Sequence, residues 1–411
     1  MSVTSFLHLS LREVKASFLP PGRGHNKRPK SMTQFAAEDL LDPPAYPNVG
    51  YAVLADRIGA VMRSFDDVVF VQAEAVVALE AVAASLARPG LRVLNVVTSL
   101  YGEYFATWLR RGGAVVEDVV AGLGRPVEFA AFQAALDAME KVDVVVLVHG
   151  EAANGVLNPL PEIAASAKAR GALLVVDAVA SIGAHEFEVQ TLGIDIAVIG
   201  PQKGLGGPAG LSAISVSEAA WAKIAEEPAL RLSTLSLLDL KEKWLDVGAD
   251  ALPGTPAPLE FWALNAALDR IDAEEDGVET VVERHQLAAK ATRAGIRALG
   301  ITPWIEDDAA ASALVTAAPI PAGIEAQALV AAASEFEGSA ISSGVGGVEA
   351  LLVRLNHTAL RAAYRPVLAN VVAYGQALAS LGHAVDLDAA IEAVAKAYQD
   401  AEPAGSAEWA G

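Results

Sequence analysis

Ile199-Gly-Pro-Gln-Lys203-Gly-Leu-Gly-Gly-Pro-Ala-Gly210 follows directly on the apolar run Ile194–Ile199, and how that junction is read decides the fold. So much Gly and Pro makes a poor helix and a good rigid turn, so a short buried strand must end in a loop that carries one lysine. Twenty-six residues before Lys203, Leu173-Leu-Val-Val-Asp177-Ala-Val-Ala-Ser181 repeats the arrangement, with an acid at the end of a fully apolar run. Strands that are apolar on both faces belong to a parallel sheet covered on both sides.

Working outward, β-branched runs recur at Val68–Val71, Val93–Val97 and Val142–Val148, and the two strands above fall at Leu173–Val176 and Ile194–Ile199. Between them lie Ala-rich stretches of helical spacing, such as Val76–Ala87 and Ile163–Ala169. The alternation predicts an α/β fold, a mostly parallel sheet flanked by helices with its site at the carboxyl ends of the strands. A long helical stretch, Pro258–Leu299, leads to a second region with strands near Ala313–Ala317 and Leu351–Leu355, read as a smaller C-terminal α+β domain. The expected division is 39–290 for the large domain, 291–400 for the small one and 401–411 for a frayed tail. Residues 1–38 form a basic leader, with Arg12, Lys15, Arg23, Lys27, Arg28 and Lys30 against few acids. Its apolar stretch Phe6–Leu11 is broken by His8 and Ser10 and is too short for a secretory signal, so a disordered extension, or an upstream start codon with Met32 as the working one, is expected.

The chain has 411 residues, 30 Lys+Arg against 50 Asp+Glu, and no cysteine. Without cysteine, disulfide scaffolds, thiolate metal sites and thiol nucleophiles are excluded, which leaves Lys, His, carboxylates, hydroxyls or a bound cofactor to do chemistry. A net charge of −20 opposes a nucleic acid as partner. No run of roughly 20 apolar residues free of charge is present, so no membrane insertion is expected. His149 ends an apolar strand and reads as a satisfied core histidine. With no second ligand at metal spacing, no metal is expected.

A lysine held at a strand end by a rigid turn loses hydration, which lowers its pKa and prepares the free amine for imine chemistry with a carbonyl. For an isolated Gln-Lys-Gly an ordinary loop lysine is the default, and Asp177 could equally cap a following helix. A buried aspartate, however, needs a partner. A protonated pyridine nitrogen is one such partner, and the pair keeps the ring an electron sink. Gly204, Gly206 and Gly207 form no dinucleotide fingerprint, which needs a strand, a turn and a helix in order with a downstream acid.

With these residues in place, the chain resembles the class V aminotransferases of fold type I, which depend on pyridoxal phosphate (PLP). The resemblance runs from about Pro44 to Ala379. Its motifs are Ala78-Leu-Glu-Ala81, His149-Gly-Glu-Ala-Ala-Asn-Gly155, the Asp177 strand end, Gly200-Pro-Gln-Lys203-Gly, Gly254-Thr-Pro256 and Arg354-Leu-Asn-His357. It implies that 39–290 is the cofactor-binding domain, that Lys203 forms the internal aldimine and shuttles the proton, and that Asp177 pairs with the pyridine nitrogen. It further implies Glu151, Val179 and Gln202 near the cofactor, with Thr255 reaching in from the partner of a cytoplasmic homodimer. Arg354, with Ser343 beside it, would hold the substrate carboxylate, a role that suits a bidentate fork.

One departure carries more argument. Where most members have a small hydroxyl-rich turn for the PLP phosphate at a helix N-terminus, this chain reads Gln72-Ala-Glu74-Ala75-Val76. Two unit charges 4 Å apart cost roughly 4 kcal/mol at an effective dielectric near 20, so Glu74 could hardly face a phosphate. A neutral hydroxymethyl group would suit it, unless Glu74 serves only the helix dipole. One branch of the family, the pyridoxamine:pyruvate aminotransferases, takes pyridoxamine as a substrate, and this chain resembles it over Glu74–Leu86, Asn95–Gly102 and Ser342–Gly344. That branch would place Glu74, with Ala75 and Val76, at the hydroxymethyl group and Tyr101 over the ring, although Tyr101 could also be a packed strand-end aromatic. Its second arginine is Val345 here, and the hydroxyl expected after Glu151 is lost at Ala152. Three functions follow: transamination between pyridoxamine and a small 2-oxo acid such as pyruvate; a conventional PLP-bound alanine/serine:glyoxylate aminotransferase; and a catalytically silent dimer that binds a vitamer. His357 reads as structural.

Overall fold

The computed structural model describes residues 41–401. The basic leader 1–38, and the tail from 402 onward, lie outside the described residues.

Among the described residues ten strands are formed: β1 (Asp67–Val71), β2 (Arg92–Val97), β3 (Val115–Val120), β4 (Val144–Val148), β5 (Leu173–Asp177), β6 (Ile196–Ile199), β7 (Ser212–Val216), β8 (Val315–Pro319), β9 (Ile341–Ser343) and β10 (Leu352–Asn356). The first seven make one sheet in the order β1-β7-β6-β5-β4-β2-β3. Every neighbour from β6 through β3 is parallel, whereas β7 runs antiparallel to both β6 and β1. β1 therefore points the same way as β6, and the carboxyl ends of β1, β2, β4, β5 and β6 share one edge. β4 is buried at every position and β5 at all but its first residue, as expected for strands covered on both faces.

β3 and β7 were not foreseen. β3 is an edge strand whose Glu117 and Asp118 break the apolar run, with most of its residues at least partly exposed. β7 reads as polar, Ser-Ala-Ile-Ser-Val, yet is wholly buried. Its serines are satisfied across the sheet: Ser212 Oγ donates to Ala73 O at 2.8 Å, and Ser215 Oγ shares a bond with Ser64 Oγ at 2.8 Å. Hydrogen-bonded hydroxyls carry little burial penalty, so a strand with serines can lie inside.

The predicted continuous helix Pro258–Leu299 is two helices, Pro258–Asp272 and Val278–Ala298, broken at Gly277, which sits at φ +60°. The second joins two cores, because its Val281 packs with the large sheet's core while Ala288, Ala291 and Ile296 belong to a second one. That second core lies between this helix, the helices Ala326–Ser334, Tyr364–Ser380 and Leu387–Gln399, and the antiparallel sheet β8-β10-β9. Arg354 sits mid-way along β10, opposite Ala317 on β8 and Ser342 on β9.

Candidate active site

Five strand ends converge on one cavity, as the topology of a parallel sheet demands. The cavity is lined by Glu74, Ala75, Val76, Tyr101, Asp177, Val179 and Lys203 among others. A second, larger space of about 280 Å³ adjoins it, sharing Tyr101, Ala152 and Lys203 and adding Gln202 and Arg354.

Lys203 stands on the turn after β6, which is closed by Gly207 N donating to Pro201 O at 2.7 Å. Gly204 lets that turn press on the neighbouring backbone, since a Cβ there would lie 2.1 Å from Ile182 O. The Lys203 amine has no hydrogen bond or ion pair among the described residues, and its Nζ lies 6.0 Å from the centre of the Tyr101 ring. Burial lowers its pKa, against the opposing pull of Asp177, Glu74 and Glu151. The result is an amine less basic than ordinary lysine, which raises the fraction available as a nucleophile.

Asp177 is the last residue of β5, and burial pushes its carboxyl up to about 6. Its Oδ1 accepts from Val179 N at 2.9 Å. The alternative that Asp177 caps a following helix fails, because the chain turns at 178–181 and the next helix begins only at Val189. Oδ2 has no hydrogen bond among the described residues, so a cation or an N–H in the cavity would meet an unspent acceptor.

Tyr101 is on the first turn of the helix Leu100–Arg111, not at a strand end, and Ser99 caps that helix by accepting from Tyr101 N at 3.2 Å. Its ring lines both spaces. Glu74 is the N-cap of the helix Ala75–Leu86, with Oε2 accepting from Val76 N at 3.0 Å and Oε1 accepting from Gln202 Nε2 at 3.2 Å. The dipole role weighed for this residue is thus real, and the same carboxylate also lines the cavity.

Arg354 Nε donates to Ser343 O at 2.8 Å and Nη1 to Ala152 O at 3.0 Å. Ser343 thus contributes its carbonyl, and neither cavity is lined by its side chain. No carboxylate lies within ion-pair distance of Arg354 among the described residues, so a half-buried guanidinium is held in place by carbonyls with donors to spare. An anion is the partner such a group needs.

Glu151 is fully buried and stands behind the cavity wall rather than in it. Thr98 Oγ1 and Ser99 Oγ donate to its two oxygens at 2.7 and 2.5 Å, and burial nevertheless pushes its pKa up to about 7. Asn158 Nδ2 donates to Thr98 Oγ1 and Asn154 Nδ2 to Thr98 O, at 2.9 and 3.0 Å. This network fixes the Thr98-Ser99 junction that leads into the helix carrying Tyr101, and the roles of Thr98, Ser99, Asn154 and Asn158 were missed. The one signal was a polar pair, Thr98-Ser99, directly after an apolar strand. Thr255 is exposed in the single chain and lies outside both linings; the adjacent segment is tied down by Ala257 N donating to Gln72 Oε1 at 2.7 Å.

His149 is buried as expected but not satisfied, since its Nδ1 has no partner among the described residues. Burial lowers its pKa to about 3, so it is neutral, packed against His185 and Phe187. His357 shares a 2.9 Å bond with Thr316 Oγ1 and is wholly buried. Among the described residues no group of three or more His, Asp or Glu could hold a metal.

A pyridoxal-type ring suits this donor set: Asp177 for a ring N–H, Lys203 for an aldehyde, Tyr101 for the ring face. A phosphate does not, because the helix N-terminus that would receive it is already capped by Glu74.

Comparison with known proteins agrees with this chemistry. Residues 54–377 match the family described as "Aminotransferase class-V". The chain is 36% identical over 344 residues to a pyridoxamine–pyruvate transaminase of Mesorhizobium japonicum, spanning 84% of this chain and 86% of that one. It is 32% identical to an uncharacterised aminotransferase of Methanocaldococcus jannaschii, over 84% of this chain and 91% of the other. The crystal structure of pyridoxamine-pyruvate aminotransferase from Mesorhizobium loti superposes with a TM-score of 0.80 at 34% identity, covering 86% of this chain and 89% of that one. With the strand order, the strand-end lysine and aspartate and these matches together, the chain belongs to the class-V aminotransferase family.

Proposed function

We propose that this protein transfers an amino group between pyridoxamine and a small 2-oxo acid such as pyruvate, releasing pyridoxal and an amino acid. One observation carries the reading: the Glu74 carboxylate itself caps the helix N-terminus at which a phosphate would bind. The similarity to a pyridoxamine–pyruvate transaminase supports it.

A bound vitamer ring supplies a sink for the electron pair left when a carbon beside the amine loses its proton. The chain's own residues do the rest. Asp177, buried and with one oxygen unspent, keeps a proton on the ring nitrogen. Glu74 accepts from the hydroxymethyl group, held in place by Val76 N and Gln202 Nε2. Tyr101 covers the ring and shields the amine of Lys203 from water. Lys203 Nζ takes the proton from the aminomethyl carbon and returns it to the 2-carbon of the acid. Arg354 fixes the acid's carboxylate, with Ser343 O and Ala152 O setting the fork. On this reading the 39–290 unit binds the vitamer and the 291–400 unit supplies Arg354. The enzyme works as a cytoplasmic homodimer, with the exposed Thr255 directed at a partner's site.

The test is the visible absorption of the purified protein, before and after addition of pyridoxal or PLP. A colourless protein that turns yellow with pyridoxal, and loses the response as Lys203→Ala, supports the proposal. A protein already yellow with tightly held PLP overturns it in favour of a conventional alanine/serine:glyoxylate enzyme, and a protein that responds to neither vitamer is the silent binder.

A further inference from the structure

The space beside Arg354 has a composition that the proposed reaction with pyruvate leaves unused. Arg354 is its one cationic anchor for a carboxylate, since Lys203 is committed to the amine chemistry. The same space is lined by Leu314 and Val315, both about 2% exposed, and by the exposed Val345 on the turn after β9. Of its neutral polar lining, the amide nitrogens are already spent, Asn356 on Ala340 O and Ser342 Oγ at 2.8 and 3.1 Å and Gln202 on Glu74 Oε1 at 3.2 Å, which leaves only the hydroxyls of Tyr101 and Thr358 for a second acid group. About 280 Å³ of open space lies between these walls, more than the methyl group of pyruvate fills.

We propose that the preferred acceptor is a 2-oxo monocarboxylic acid bearing an apolar side chain of roughly three or four carbons, and that Val345 sets this preference. The inference rests on the transaminase reading above and deepens it. The acid's carboxylate pairs with the free donors of Arg354, and its side chain lies on Leu314, Val315 and Val345. In the exchange, the aminomethyl carbon gives up its amino group and two electrons and becomes an aldehyde, taking its oxygen from water. The 2-carbon of the acid releases its oxo oxygen as water, gains the amino group and those two electrons, so water is consumed and released in equal amount and no further reductant or oxidant is needed. A dicarboxylic acid is rejected because its far carboxylate would be buried on an apolar wall with no cation beside it.

The experiment compares kcat/KM for pyruvate, 2-oxobutyrate, 2-oxopentanoate, 4-methyl-2-oxopentanoate and 2-oxoglutarate, using pyridoxamine as donor and following pyridoxal. The value is expected to rise roughly fourfold per added methylene up to the branched acid, with 2-oxoglutarate on the order of a hundredfold below that acid. Val345→Arg should lower the ratio of 4-methyl-2-oxopentanoate to pyruvate by about tenfold or more, since a second guanidinium favours a small acid and shortens the apolar wall. Pyruvate as the best acceptor, efficient use of 2-oxoglutarate, or an unchanged ratio in Val345→Arg overturns the proposal. Running the matching amino acids, alanine to leucine and glutamate, on enzyme given pyridoxal or PLP separates the two readings. Turnover on PLP alone sinks the vitamer assignment, while the chain-length ranking still decides this one. If neither vitamer supports turnover, calorimetric titration of the same acids into the protein gives the ranking directly, and equal affinities for pyruvate and the branched acid refute it.

Discussion

Replacing Glu74 with serine removes the charge but keeps the cap, because serine, with its hydroxyl close to the backbone, is as good an N-cap as aspartate. The helix Ala75–Leu86 should therefore survive, and what changes is the response of the site to a phosphate. At 4 Å one unit charge against another costs about 4 kcal/mol at an effective dielectric of 20 and about 1 kcal/mol in bulk water. Glu74 is exposed in the single chain, so the screened end of that range applies. A phosphate near its second ionisation doubles the charge, which gives about 2 kcal/mol, or roughly thirtyfold in affinity. The assay is titration of the protein with pyridoxal and with PLP, each read by the absorbance of the bound vitamer. Glu74→Ser should lower the ratio of the PLP to the pyridoxal dissociation constant by about thirtyfold. Glu74→Gln, which keeps the shape and loses only the charge, should do nearly as much. A ratio within about twofold of the parent in both variants would refute the electrostatic reasoning and leave Glu74 as a helix cap and nothing more.

Asp177→Asn tests the buried carboxyl through pH. Its folded pKa, about 6, lies above the ordinary 3.8, so the folded chain holds that proton more tightly and stability falls as pH rises from about 4 through 6. The asparagine variant escapes this loss, so its melting temperature should gain on the parent across that window, by an amount equivalent to roughly 3 kcal/mol in full. His149, lowered to about 3, acts in the opposite sense, its contribution being lost as pH falls below about 6.5, and it cancels in the difference between variant and parent; Glu151, raised to about 7 by burial and in part by the Asp177 charge, shifts with the substitution and adds to that difference. A flat difference would show that Asp177 is not desolvated. Arg354→Lys should cut kcat/KM for the 2-oxo acid by about a hundredfold with little change in pyridoxamine binding, because a lysine cannot keep two carbonyl bonds and still offer a fork; equal losses for both substrates would place Arg354 elsewhere in the mechanism. Phe261→Ala, at a wholly buried ring set edge-on to Tyr51 and Phe70, should cost about 4 kcal/mol in denaturant unfolding.

What the sequence disclosed follows from where its signals were local. Lys203 and Asp177 each sit where an apolar run stops and a polar function starts, and the sheet's geometry brings strand ends together whatever the loops do. Arg354 was found by its motif, though its restraint by Ser343 O and Ala152 O was not, since Ala152 is 202 positions away. The Glu151 network was hidden for the same reason: Thr98 and Glu151 meet across a separation of 53 residues, and neither residue type marks the other. β7 escaped because its serines look solvent-facing until Ser64 and Ala73 are seen to receive them. The helix break at Gly277 escaped because a single glycine inside a periodic stretch weakens a helix without having to end it.

A helix that supplies its own N-terminal anion alters the kinetics of the ring as well as its chemical form. Phosphate contacts at such a helix end act on residence time more than on chemistry, because affinity differences at one site reside mostly in the rate of release. Forgoing such an anchor speeds departure by roughly tenfold for each 1.4 kcal/mol it would have supplied. The residues that act on the reacting atoms, Asp177 and Lys203, are at the end of β5 and on the turn after β6, remote in sequence from the capped helix, and the Lys203 turn meets its cap through Gln202 Nε2 donating to Glu74 Oε1 at 3.2 Å. Anchoring and chemistry thus come from different segments of the fold, coupled through that bond and through the Glu74 charge, which raises the pKa of both groups. On the proposed reading the fast release is what turns a resident ring into a substrate, and initial rates should then saturate with pyridoxamine as they do with the 2-oxo acid. A rate independent of added pyridoxamine would mean that the ring stays through many turnovers, and that the carboxylate at the helix end does not weaken its hold.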